Sequence, residues 1–142
     1  MIMKIYLAGH CLWYYLLETT TGGGILNESA PKINVLESFY TVDACLTKLI
    51  PRFNSFMLDS GAFSFFNGNH DRRDWDKYIS RYIDYINAND VKLFFELDID
   101  KIIGYDRVKE IRRRLERETG KRPIPVWHKH LGKAEFFRIC DE

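Results

Sequence analysis

Residues 74–100 read DWDKYISRYIDYINANDVKLFFELDID, and the change of period inside them sets the fold class. Over residues 74–88, Trp75, Tyr78, Ile79, Tyr82, Ile83 and Ile86 recur at spacings of three and four. That spacing collects them on one stripe of an α-helix, and Asp74 supplies the short acceptor side chain that satisfies a first helical turn. The helical period then stops. Residues 92–97 are apolar almost without interruption, the pattern of a strand buried on both faces in a parallel sheet. This run ends among Glu96, Asp98 and Asp100.

The same alternation extends outward in both directions. Strands are predicted at residues 4–8, 33–39, 56–58, 92–97 and 124–127. A helix over 105–119 carries Val108, Ile111 and Leu115 on one face and ends at Gly120 with Pro123 beyond. A shorter helix over 42–50 is stopped by Pro51, and a last helical stretch covers 133–142. A short first helix is joined to the second strand by the loop Thr19-Thr20-Thr21-Gly22-Gly23-Gly24. From Tyr6 through Val35, Met57, Phe94 and Val126 the strand centres lie 29, 22, 37 and 32 residues apart. This pitch of about 30 matches the repeat of a (β/α)8 barrel. The expected fold is therefore α/β: one domain over residues 1–142, comprising the N-terminal five βα units of a TIM barrel that is incomplete. The other arrangement is an open doubly wound sheet. An incomplete barrel leaves its first and fifth strands with unpaired edges, so self-association through those edges is expected.

Composition removes several functional classes. With 46% hydrophobic and 29% charged residues in 142, the chain is neither disordered nor collagen-like. Twenty-one basic against 20 acidic residues give a formal charge of +1, so no global field draws in nucleic acid or an anionic membrane. Cys11, Cys45 and Cys140 are odd in number and contain no CxxC pair, which excludes a disulfide framework and a zinc knuckle. Residues 1–8 are too short an apolar run for a signal sequence, and no stretch reaches a membrane span. A cytoplasmic protein without membrane contact is expected.

In parallel α/β folds ligands bind beyond the carboxyl ends of the strands. Just past the predicted strands lie Gly9-His10, Glu37-Ser38-Phe39-Tyr40, Asp59-Ser60-Gly61, Glu96 with Asp98 and Asp100, and His128 with His130. Acids and histidines predominate there, a ring of groups suited to acid/base work or ligand contact. In Asp59-Ser60-Gly61-Ala62-Phe63-Ser64 a carboxylate leaves the strand and is followed by a hydroxyl and a glycine. That order suits a tight turn whose N–H groups approach a ligand.

Asp-Ser-Gly-Ala-Phe-Ser resembles the Asp-Ser-Gly-Gly-Phe-Gln motif of the tRNA-guanine transglycosylase (queuine tRNA-ribosyltransferase) superfamily. It is most similar to the compact phage and prophage members grouped with enzymes that place 7-deazaguanines in DNA. Leu36-Glu37-Ser38-Phe39-Tyr40, Phe94-Phe95-Glu96-Leu97-Asp98-Ile99-Asp100 and Pro125-Val126-Trp127-His128 extend the likeness over most of the chain. The resemblance implies a TIM barrel and a glycosyltransferase that exchanges guanine or a 7-deazaguanine in tRNA or DNA. It places Asp59 beside the glycosidic bond as catalytic acid/base, and Asp98 or Asp100 as the acceptor for the flipped-out base. Ser60, Gly61, Phe63 and His128 are then substrate contacts, with Phe63, Tyr105 or Trp127 available to stack on the base. No cofactor and no metal are implied.

The departures from the family pattern also carry expectations. The family nucleophile is an aspartate on a later strand, and no residue here matches it, so this chain alone is expected not to catalyse base exchange. Ala62 and Ser64 replace the motif's second glycine and its glutamine. A different mechanism, a metal-dependent hydrolase, would draw ligands from His10, Asp59, Asp98, His128 and His130. The chain lacks, however, a His-x-His pair after its first predicted strand. A third reading is a non-catalytic base- or nucleotide-binding fragment. Lys109, Arg112, Arg113, Arg114, Arg117, Lys121 and Arg122 could touch phosphates, but Glu110, Glu116 and Glu118 interleave with them, as on an ordinary solvated helix face.

Overall fold

The computed structural model describes residues 3–8, 33–61 and 74–141. Four strands, β1 (Leu7–Ala8), β2 (Asn34–Ser38), β3 (Ser55–Asp59) and β4 (Leu93–Phe94), form one sheet in the order β1-β2-β3-β4. Every pairing is parallel: Val35 lies opposite Leu7 and Phe56, and Leu58 opposite Glu37 and Phe94. The helices are α1 (Ala44–Leu49), α2 (Trp75–Ala88), α3 (Asp100–Ile103), α4 (Tyr105–Thr119) and α5 (Gly132–Cys140). Short 3-10 turns occupy Ile50–Arg52 and Lys129–Leu131. The fold is α/β with sequential parallel strands, as the sequence predicts. Among the described residues no helix is long and apolar enough to cross a membrane.

Local chemistry explains the element ends. Asp74 caps α2 by accepting from the Lys77 N–H at 3.0 Å, and Asp43 caps α1 by accepting from Cys45 and Leu46. Helix α4 ends at Gly120, whose φ of 66° is left-handed. Pro51 does not end its helix abruptly; it sits in the first turn of the 3-10 segment, where its missing N–H costs no helical hydrogen bond.

The predicted stripe of α2 is the buried one: Ile79, Tyr82, Ile83 and Ile86 join Val108, Ile111 and Leu115 of α4 in a core with Val35, Phe56, Leu58 and Phe94. Each such side chain contributes about 1.5–3 kcal/mol on burial. Tyr82 also anchors the sheet, donating from its hydroxyl to the main-chain oxygens of Phe95 (2.9 Å) and Leu58 (3.3 Å). Buried in this way, and with Asp59 and Tyr78 nearby, the Tyr82 phenol is held well above its usual pKa.

Two expectations about the strands are corrected. Burial on β2 and β3 alternates instead of covering both faces: Val35, Glu37, Phe56 and Leu58 are buried, whereas Leu36, Ser38, Met57 and Asp59 are half-buried. Among the described residues the helices cover one face only, so the apolar run at Phe56-Met57-Leu58 serves two environments. The fifth strand, expected at 124–127, is a single parallel bridge between Phe95 and Ile124. Ile124 donates to Phe94 O (2.7 Å) and accepts from Glu96 N (3.0 Å), and the ladder goes no further. Pro123 and Pro125 flank it and have no N–H to donate. The next donor, Val126 N–H, bonds the Glu96 carboxylate instead (2.7 Å).

Candidate functional site at the carboxyl edge of the sheet

The β3 strand delivers Asp59 to the carboxyl end of the sheet, on the face opposite the helix-covered one. Its Oδ2 accepts from Gly61 N–H at 2.9 Å, closing a tight turn. Gly61 has φ of +76°, and a Cβ placed there would lie 2.7 Å from Tyr40 Cβ and 3.0 Å from Ser38 Oγ. The glycine is required by that close approach. Its N–H, expected to meet a ligand, is instead engaged by Asp59. Ser60 is fully buried; its carbonyl accepts from the Tyr78 hydroxyl (2.8 Å), while its own Oγ has no partner among the described residues. Tyr78 and Tyr82, one helical turn apart on α2, thus fix the residues on either side of Asp59. Their place in an apolar stripe hides this second role in the sequence.

Beyond β4, in the adjoining position of the sheet, the chain turns through Asp98 into α3, whose first residue is Asp100. The Asp98 side chain is 34% exposed and that of Asp100 only 5%. His128 lies between them: Nδ1 is 2.8 Å from Asp100 Oδ1 in hydrogen-bonding geometry, and Nε2 is 3.0 Å from Asp98 Oδ1. His130 Nε2 approaches Asp100 Oδ2 at 2.6 Å. These last two contacts are off the line on which a ring N–H donates, and neither Asp98 Oδ1 nor Asp100 Oδ2 accepts a hydrogen bond. Burial raises the Asp98 pKa; His128 opposes that rise, while the Asp100 and Asp59 charges add to it. Asp59 is therefore within electrostatic reach of Asp98, and the two predicted acids share one edge.

His128 and His130, two residues apart, would share a face of a continuing strand, and they stay together here although the strand does not continue. The chain enters a 3-10 turn at Lys129, and the two rings stack with centroids 5.6 Å apart and planes 16° from parallel. Asp100, His128 and His130 can each present one ligand atom within 4.8 Å of the others, the one such grouping of three among the described residues. Asp59 and Asp98, counted as metal ligands from sequence, are not members of it. His10 and Phe63 lie outside the described residues, as do Cys11 and the loop at 19–24.

Other polar residues near the strand ends serve the fold. Glu37 accepts from Thr41 Oγ1 and the Ser38 N–H. Glu96 is buried against Arg112, with Nε–Oε2 at 2.6 Å and Nη2–Oε1 at 3.0 Å. Burial works against the Arg112 charge, but the Glu96 carboxylate more than offsets it and holds the guanidinium pKa above its ordinary value. Tyr105 and Trp127 are engaged elsewhere. Tyr105 donates to Glu135, and Trp127 donates to Gly132 O (3.0 Å) while its ring meets Phe136 edge-on. On α4, Arg107, Arg114 and Arg117 pair with Asp76, Glu110 and Glu118, which matches the solvated-face reading, whereas Arg112, counted with them from sequence, is buried and departs from it. Lys109, Arg112, Arg113, Arg122 and Arg138 share a cleft of about 210 Å³ with Glu116.

Fold and site together define an α/β protein with sequential parallel strands and a cluster of carboxylates and imidazoles at their carboxyl edge. No family model, no curated protein and no solved structure matches the chain.

Proposed function

We propose that this edge binds a guanine-like or 7-deazaguanine base, as in the tRNA-guanine transglycosylase superfamily that the Asp59-Ser60-Gly61 segment resembles, with the sheet as part of a (β/α)8 barrel. The observation that carries this reading is the pairing of Asp59 with Asp98 at the same end of adjacent parallel strands, within each other's field. A guanine-type base presents ring and exocyclic N–H donors along one edge, and an ionised carboxylate is the matching acceptor. Asp98 fits this role better than Asp100, because a third of its side chain is exposed while Asp100 is enclosed by His128 and His130. His128 Nε2 lies 3.0 Å from Asp98 Oδ1. Asp59, tethered by Gly61 N–H, stands where the acid/base group of the superfamily works beside the glycosidic bond, with the base arriving free or within tRNA or DNA.

Calorimetry with guanine, 7-cyano-7-deazaguanine and queuine tests the reading on wild type, Asp59→Asn and Asp98→Asn. Saturable binding is expected for at least one base. A hydrogen bond to a charged group contributes about 1.5–3 kcal/mol, so Asp98→Asn should weaken binding by roughly 10- to 150-fold. Absence of binding to all three bases, or equal binding by Asp98→Asn, refutes the proposal.

A further inference from the structure

We propose that Asp100, His128 and His130 bind a divalent first-row transition ion of the zinc or ferrous class. This goes beyond the base-binding reading, which needs no metal. The donor set is two imidazoles and one carboxylate, the set that holds catalytic zinc and non-haem iron with coordination positions left open. Magnesium and calcium, which prefer all-oxygen shells, are disfavoured by the two imidazoles.

The second observation is the state of Asp100 itself. Its side chain is 95% enclosed, judged by the 5% exposure, yet Oδ2 accepts no hydrogen bond although His130 Nε2 lies 2.6 Å away. A buried carboxylate oxygen left in this condition costs free energy. An imidazole lone pair facing the same oxygen would add repulsion. A cation between nitrogen and oxygen removes both costs, since each becomes its ligand. Two donors bound about 2.1 Å from a tetrahedral ion lie about 3.4 Å apart. The ligand atoms here lie within 4.8 Å of one another, and the two imidazole–carboxylate contacts are 2.6 and 2.8 Å. Changes in separation of about 0.6 to 1.4 Å therefore suffice, within reach of side-chain rotation.

The surroundings supply the outer contacts that such a site requires. With His128 bound through Nδ1, its Nε2–H lies 3.0 Å from Asp98 Oδ1, and a small rotation of the ring would bring the two into the carboxylate–histidine–metal arrangement that fixes the ring and strengthens its donor nitrogen. His130 is 47% exposed and gives the ion a path from solvent. Open coordination positions would be filled by water or by an oxygen of whatever occupies the same edge.

The test is titration of the chelator-treated protein with Zn2+ by calorimetry, and with Co2+ by visible absorption, which reports nitrogen and oxygen ligation directly. Saturation at one ion per chain is expected, with affinity falling at least about 100-fold in His130→Ala and in Asp100→Asn. Asp59→Asn should bind the ion as wild type does. His130 is exposed, so its variant retains the fold, which far-ultraviolet circular dichroism verifies; this keeps the result decisive should Asp100→Asn unfold. Failure to saturate at one equivalent, or undiminished binding by folded His130→Ala, overturns the proposal. Base calorimetry on the chelator-treated protein is a separate readout, so loss of one reading leaves the other standing.

Discussion

Replacing Arg112 by Met isolates the energetics of the buried ion pair behind the site. Glu96 and Arg112 side chains are 1% and 9% exposed and share two hydrogen bonds, so the substitution strands a carboxylate whose remaining partner is the Val126 N–H. Removing one member of a buried pair costs about 3–5 kcal/mol, a large part of the roughly 5–15 kcal/mol that holds a domain of this size together. With a urea slope near 2 kcal/mol per molar, the unfolding midpoint should fall by about 2 M, measured by circular dichroism. The double variant Arg112→Met/Glu96→Gln should recover most of that loss, because glutamine still accepts from Val126 and carries no charge to strand. An Arg112→Met variant within about 1 kcal/mol of wild type, or a double variant no better than the single one, would refute the reasoning.

Two further perturbations test local geometry. Gly61→Ala should destabilise more than Gly104→Ala: both positions have positive φ, at about 1–2 kcal/mol for a side chain, but only at Gly61 would a Cβ collide, with Tyr40 at 2.7 Å; thermal melts of the two variants give the comparison, and equal losses would count against the contact. Glu135, hydrogen-bonded by Arg138, opposed by partial desolvation and also held by Tyr105, has its carboxyl lowered from 4.5 to about 2. A depressed folded-state pKa contributes stability that is present above 4.5 and lost as pH falls toward 2. Docking of α5 should therefore weaken over that window, read as a change in tryptophan fluorescence that Trp127→Phe abolishes and Glu135→Gln shifts out of the window.

Helices α2 and α4 were legible to within a residue at each end, because each has an apolar stripe and one marked terminus, a capping aspartate at the start of α2 and a glycine at the end of α4. The strands were legible as positions but not as environments. A short run such as Phe56-Met57-Leu58 has the same apolar character whether one face or both are covered, and only the observed burial distinguishes them. The fifth strand was over-read because Ile124, Val126 and Trp127 suit a strand by type, while the loss of donors at Pro123 and Pro125 decides the ladder. Asp59, Asp98, Asp100 and His128 could be placed at one edge from the rule for parallel sheets. The joint presentation of His128 and His130 to Asp100 could not, since it depends on a 3-10 turn that begins between them and on the entry of the chain into α3, neither of which the local sequence marks. Glu37 and Glu96 show the opposite error: acids at strand ends whose side chains turn into the core and are consumed there.

The two-sided character of β3 has a consequence for how this protein can change over generations. Phe56 and Leu58 answer to the helices, whereas Met57 and Asp59, interleaved between them, answer to whatever lies across the sheet. Selection on folding and selection on chemistry therefore act on alternate letters of the same five-letter word. New ligand preferences can accumulate in one register while the other stays fixed, so related sequences would diverge with a beat of two along the strand.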